Sequence, residues 1–242
     1  MKKIFILFAA IIFTNSLFAL NLIAVDTLEI STSNYNNSTA DSSVWINIDY
    51  PQITGLKNTD VQMKLNKFLE DEFKQSIAWY DEIQTDSTYY EDISYDMQYS
   101  FETGYTVEYN SELFISIVLN HYQFTGGAHG NYFALGFNIR TTDGKSLTLK
   151  DLIKSDSFDI LTEECELAIL DSYHTNTLLE AGLFEDEIII EEDQDFYITP
   201  TTLVIQFDPY EVGPYAMGEI IAEIPLEKIK DILKDNLPFP TN

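Results

Sequence analysis

The chain is short of the residues that most catalytic chemistry needs. Of its 242 residues, one is cysteine and three are histidine. A lone cysteine, Cys165, excludes an internal disulfide and any CxxC redox or zinc motif. It lies in the helical-looking stretch TEECELAILDSY, where a small buried side chain is its expected role. The histidines, His121, His129 and His174, form no HExxH pair. No nucleophile elbow, phosphate loop or dinucleotide fingerprint occurs either. Basic residues are scarce: 13 Lys and Arg stand against 40 Asp and Glu, a net charge of −27. Between Lys154 and Lys228 there is no cation, while nineteen acids run from Asp156 to Glu227. Such a field argues against nucleic acid and anionic lipid surfaces and favours a cationic partner. The acid runs 185–187 and 191–195 lack the glycine and closing glutamate of a calcium-binding loop. They are expected to be solvated faces, and no metal or other cofactor is expected.

Long apolar runs are missing beyond the N-terminus. The start, MKKIFILFAAIIFTNSLFA, sets Lys2 and Lys3 ahead of an apolar region from Ile4 to Phe13 and ends on a small residue, Ala19. This is the pattern of a secretory signal peptide over residues 1–19. The alternative is an uncleaved anchor reaching Val25, against which Asn15, Ser16 and Asn21 speak. The expected location is therefore periplasmic or extracellular, with no membrane span once the signal is removed.

What is present supports a folded body. Apolar residues make up 45% of the chain, enough for a core. The 16 Phe and 15 Tyr, with many Ile and Thr, lean toward strands. Residues 26–43, rich in Ser, Thr and Asn, are expected to belong to a linker over 20–43. VWINIDYPQI (44–53) alternates as a strand, with Pro51 at an edge or strand end. Asn58 is placed to cap one helix running to about Glu82, striped by Leu65, Leu69 and Phe73. Alternation from Tyr95 to Phe101, a turn at Gly104, an apolar strand at 112–124 and alternation over 132–139 describe an antiparallel meander. Residues 157–183 read as a second long helix, followed by a hairpin over Thr199–Thr202 and a last strand with a short helix entered through Pro225. The expected class is α+β: two small subdomains over 44–128 and 129–237, each an antiparallel sheet packed on a long helix.

Two loops carry the candidate site. In FTGGAHGNYF (124–133), His129 sits among Gly126, Gly127 and Gly130. The glycines supply the positive φ that a tight connection needs. His129 is then either a corner residue or a general base, and a base would want a nucleophile and an orienting acid that the sequence does not display. In YEVGPYAMGE (210–219), Tyr210 and Tyr215 flank Gly213 and Pro214. The stretch is either a rigid turn or an aromatic contact patch, because tyrosine offers large contact area at low entropic cost. Candidate binding residues are thus His129, Tyr210 and Tyr215, and candidate turn residues are Gly126, Gly127, Gly130, Gly213 and Pro214. No catalytic residue is assigned.

GGAHGNYF, followed by DGKSLTLKDL, FDPYEVGPYAMG and EIPLEKIKDIL, resembles the paired extracellular domains of the anti-sigma-V factor that senses lysozyme. The first of those domains is similar to the accessory domain in front of some peptidoglycan deacetylases. The resemblance covers roughly residues 44–237. It implies a two-part α+β fold and an exported, non-catalytic binding protein of the cell envelope. Its implied ligand is a lysozyme-like basic protein or peptidoglycan. A cell-wall glycan hydrolase or a metal-dependent enzyme is the competing class. Sigma-factor control does not carry over, since only two lysines precede the apolar run.

Overall fold

The computed structural model describes residues 27–85 and 98–241. The signal-peptide reading and the alternation at Tyr95 and Met97 lie outside the described residues. The architecture is α+β, with a six-stranded and a three-stranded sheet. The larger sheet runs in the order β1 (Glu29–Ser38), β2 (Val44–Thr54), β3 (Tyr99–Asn110), β4 (Phe114–Phe124), β5 (Asn131–Arg140) and β6 (Lys145–Ser146). The smaller holds β7 (Phe196–Ile198), β8 (Thr202–Phe207) and β9 (Ile220–Pro225), all antiparallel.

The linker expected over 20–43 is overturned between Glu29 and Ser38. Those residues pair with β2 from Glu29 opposite Thr54 to Ser38 opposite Trp45. Its polar side chains fit an edge strand: Asn34 Nδ2 donates to Asn47 Oδ1 and Asp49 Oδ1 of β2. The Ser- and Asp-rich stretch after it is a hairpin turn. Asp41 Oδ1 accepts from the Thr39 hydroxyl and from both the backbone N–H and the hydroxyl of Ser43. Those hydrogen bonds, Thr39's first, pull the Asp41 carboxyl down to about 2.

Asn58 caps α1 (Thr59–Phe73), accepting from the N–H groups of Asp60 and Val61. The single helix expected to Glu82 breaks after Phe73, and α2 covers Ser76–Thr85. These helices cross over between β2 and β3, so that pair is parallel and the first sheet is mixed, not a pure antiparallel meander. Pro51 lies beyond Ile48, the last residue of β2 paired with β3, where a missing N–H costs nothing on that side. β3 passes straight through Gly104, so the turn expected there is absent.

The second long helix is also shorter than expected. After α3 (Leu149–Leu152), α4 spans Phe158–Tyr173 and stops at His174, whose left-handed φ of 55° ends the helix. A separate turn of helix, α5 (Leu178–Ala181), follows, and α6 (Leu226–Ile229) leaves β9.

Two cores result. Leu65, Leu69 and Phe73 of α1 close on Ile46, Ile48, Phe101, Ile117 and Ile139. Leu161, Cys165 and Ile169 of α4 close on Leu203, Ile205, Ala222 and Ile224. The expected boundary after residue 128 divides the β4–β5 hairpin, which is paired throughout from Phe114–Arg140 to Gln123–Asn131. Period-two alternation explains why β5 serves both halves. Phe137 and Ile139 belong to the α1 core. Asn138 points the other way: it accepts from Ser116 Oγ and donates to the Phe196 carbonyl, both at 2.7 Å.

Candidate functional site

The two glycine-shaped loops meet. Gly126 and Gly127 take φ of 90° and 96° and carry the chain from β4 to His129. The His129 ring stacks on Tyr215 with centroids 3.9 Å apart and planes 20° apart. Its Nδ1 lies 2.9 Å from the Gly130 carbonyl, which also accepts the Tyr215 hydroxyl at 2.7 Å. Gly130 is needed for closeness: a Cβ there would stand 2.5 Å from the Tyr122 ring. Tyr215 opens a short 3₁₀ turn, Tyr215–Met217, entered through Pro214. At Gly213 a Cβ would stand 2.7 Å from the Ile220 Cδ1, so that side-chain end would have to shift. Tyr210 takes a left-handed φ of 73°, donates its N–H to the Gly213 carbonyl and is 57% exposed.

Tyr215 is the hub. Tyr132 meets it edge-on at 5.6 Å and Tyr210 lies 5.7 Å away. Beside this cluster is a hollow of about 220 Å³ whose walls include Glu102, Gly104, Asn120, Tyr122, Tyr132 and Glu219. Register explains its floor. Glu102, Tyr122 and Tyr132 stand opposite one another across β3, β4 and β5, so their side chains share a face. Burial raises the Glu219 carboxyl above the ordinary range. Burial also raises the Tyr132 hydroxyl, and the negative charges of Glu219 and Asp208 add to it. Nearby, Asp208 Oδ1 accepts the Ala134 N–H at 3.0 Å. Burial lifts Asp208 and Asp195 to about 6 each, with Glu211 reinforcing both. Tyrosine faces, carboxylates and one amide suit a cationic or sugar-like group, which such rings and oxygens contact directly.

The structure brings His129, Tyr210 and Tyr215 together, with Gly126, Gly127 and Gly130 in one loop and Gly213 and Pro214 in the other. The other histidines lie outside the stack on Tyr215, although His121 also borders the hollow. His121 is 3% exposed on the opposite face of β4, its Nδ1 2.9 Å from the Thr103 hydroxyl and its ring against Trp79 and Phe133. Burial drops it to about 4. His174 ends α4. Among the described residues, no group of three or more His, Cys, Asp or Glu is placed to hold a metal. Cys165 is fully buried, and burial pushes its thiol well above the usual range. The acid runs do local work: Asp186 Oδ1 accepts the N–H groups of Leu178 and Leu179, and Glu192 pairs with Lys150. Sequence reasoning missed Glu102, Tyr122, Tyr132 and Glu219. One signal was available, because β5 carries small or polar residues, Ala134, Gly136 and Asn138, on the same face as Tyr132. A strand face built that way expects another backbone close by.

Residues 37–132 match the family model described as Deacetylase PdaC. Residues 150–227 match that of a protein of unknown function, DUF3298. The site draws on both matched stretches: Glu102, Tyr122, His129 and Tyr132 fall within 37–132, and Tyr210, Tyr215 and Glu219 within 150–227. A curated relative, the peptidoglycan-N-acetylmuramic acid deacetylase PdaC of Bacillus subtilis strain 168, is 28% identical over 129 residues. That match takes in 50% of this chain and 26% of the relative, so the chain spans about a quarter of the relative's length. Among solved structures, a DUF3298 member from Bacteroides fragilis is 20% identical with a TM-score of 0.71, covering 88% of this chain and 96% of its own. A DUF3298 protein from Pseudomonas aeruginosa PAO1 is 19% identical with a TM-score of 0.66, covering 89% and 98%. At these identities the likeness is one of fold.

Proposed function

We propose that the chain is an exported, non-catalytic binding protein of the cell envelope, and that it grips a basic partner protein of the lysozyme type. The observation that carries this reading is the convergence of the two loops on Tyr215, beside a hollow walled by tyrosines and by Glu102 and Glu219. A lysine or arginine offered by a partner would lie between aromatic faces and two carboxylates, with no cation in the wall to repel it. The net charge of −27 supports the same class of partner by steering it from a distance. The signal-like start and the kinship with a deacetylase named for peptidoglycan support the envelope as the place.

A second reading has its own support. Tyrosine faces also stack on sugar rings, and that relative's name concerns a cell-wall glycan. The decisive experiment immobilises the purified chain and offers it a c-type lysozyme and, separately, soluble peptidoglycan fragments. Tyr132→Ala and Tyr215→Ala are expected to weaken lysozyme binding at least about tenfold, roughly 1.4 kcal/mol, with fragments binding no better than to a blank surface. Fragment binding lost in the same two variants, with lysozyme indifferent, would move the ligand to the glycan. Release of acetate or of reducing ends from cell wall, abolished by His129→Ala in a normally folded chain, would instead establish an enzyme.

A further inference from the structure

A second hollow shares no lining residue with the one beside the tyrosine cluster. It is a groove of about 640 Å³ between α4 and β9. β9 is the last strand of the small sheet, and the hydrogen-bond parity says which of its groups are in use. Leu226 N–H donates to the Thr201 carbonyl, and Gln206 N–H, on the other side of β8, donates to the Asp195 carbonyl. With Pro225 opposite Thr202, β9 therefore bonds β8 through Ile220, Ala222 and Ile224. The N–H and C=O groups of Ile221 and Glu223 point away from β8, toward the groove, and no described strand pairs with them.

The groove is shaped and charged for an occupant. Ala168 and Leu167 of α4 supply an apolar wall, and Leu167 is 48% exposed, as is 37% of Ile221. Glu164, Asp171 and Glu223 line it with carboxylates, against one cation, Lys228, 4.0 Å from Glu164. A second copy of this chain is a poor fit, because antiparallel β9 edges would set Glu223 near its own counterpart.

We propose that this groove takes an extended peptide segment of alternating apolar and basic residues, which adds to β9 as a fourth strand. The segment's backbone completes the pairing of Ile221 and Glu223, as in other strand additions at open sheet edges. Its apolar side chains face α4 at Leu167 and Ala168, its basic side chains project from the other face beside Glu223, and Glu164 and Asp171 add negative charge along the groove. This site is independent of the tyrosine cluster.

The test titrates fluorescein-labelled (Lys-Val)₄ against the full chain and follows anisotropy at physiological salt. Saturable binding is expected. It should weaken at least tenfold in Ile221→Pro, which removes an outward N–H without touching the β8 ladder, and again in Asp171→Lys with Glu223→Lys. Tyr215→Ala should leave it unchanged. A peptide N-methylated at alternate residues keeps its charge and loses its edge-facing amides, so it should not bind, whatever the folding of the protein variants. Equal binding of the methylated peptide would reduce the effect to diffuse charge attraction and overturn the proposal. So would an absence of saturable binding by the native chain, or a stable dimer that excludes the peptide.

Discussion

At the scale of single residues, burial decides protonation. His121 is buried, so its ring stays neutral down to about pH 4. Its folded value lies below the ordinary 6.5, so the unfolded chain takes up its proton first. The stability tied to its neutral form is present above pH 6.5 and is lost as pH falls toward 4. Asp208 works in the opposite direction. Its folded value is raised to about 6, so its charged form is a burden above that pH, relieved as pH falls from 6 toward 3.8. Asp208→Asn keeps an oxygen for the Ala134 N–H and removes the charge. It should stabilise the fold at pH 8 by about 1 kcal/mol, less than its full shift implies because the group is only half-buried, and change little at pH 4. Urea denaturation at the two pH values measures this.

At the scale of elements, the sequence was legible where periodicity was strong and local. Asn58 and the Leu65, Leu69, Phe73 stripe located α1, and the apolar run 112–124 located a central strand, because each carries its own repeat. Where neighbours decide, the reading failed. Little in EISTSNYNNS marks a strand, since only Ile30 and Tyr35 reach the core and a mostly exposed edge strand takes its conformation from β2. The end of α4 was missed for a related reason: apolar residues continue past Tyr173, but His174 adopts the left-handed geometry that stops the helix. That conformation suits glycine, so His174→Gly should raise stability by about 0.5–1 kcal/mol. A higher denaturation midpoint with an unchanged slope is the expected result. Both site loops were legible from their glycines. The hollow beside them was not, because it is made by cross-strand register together with Glu219, which is distant in the chain.

At the scale of the whole molecule, a few polar contacts join the two sheets. Asn138, Ser116 and Gln206 bond β4 and β5 to the small sheet, and Gly136 lets the backbones approach. A Cβ at Gly136 would stand 1.9 Å from the Phe196 carbonyl oxygen, so Gly136→Ala must push β7 away. A loss of about 1–3 kcal/mol is expected, with the Ile198 amide exchanging faster because its bond to Ser116 opens. No described helix is long and apolar enough to cross a membrane. The account's central claim is that this junction presents tyrosines and carboxylates to a basic partner. Its most direct test is the association rate of a c-type lysozyme with the chain as salt is raised from 20 to 500 mM, roughly 20 Å to 4 Å in screening length. The claim predicts a rate that falls at least tenfold, with Tyr215→Ala binding weakly throughout. A rate indifferent to salt, or Tyr215→Ala binding as tightly as the native chain, would contradict it.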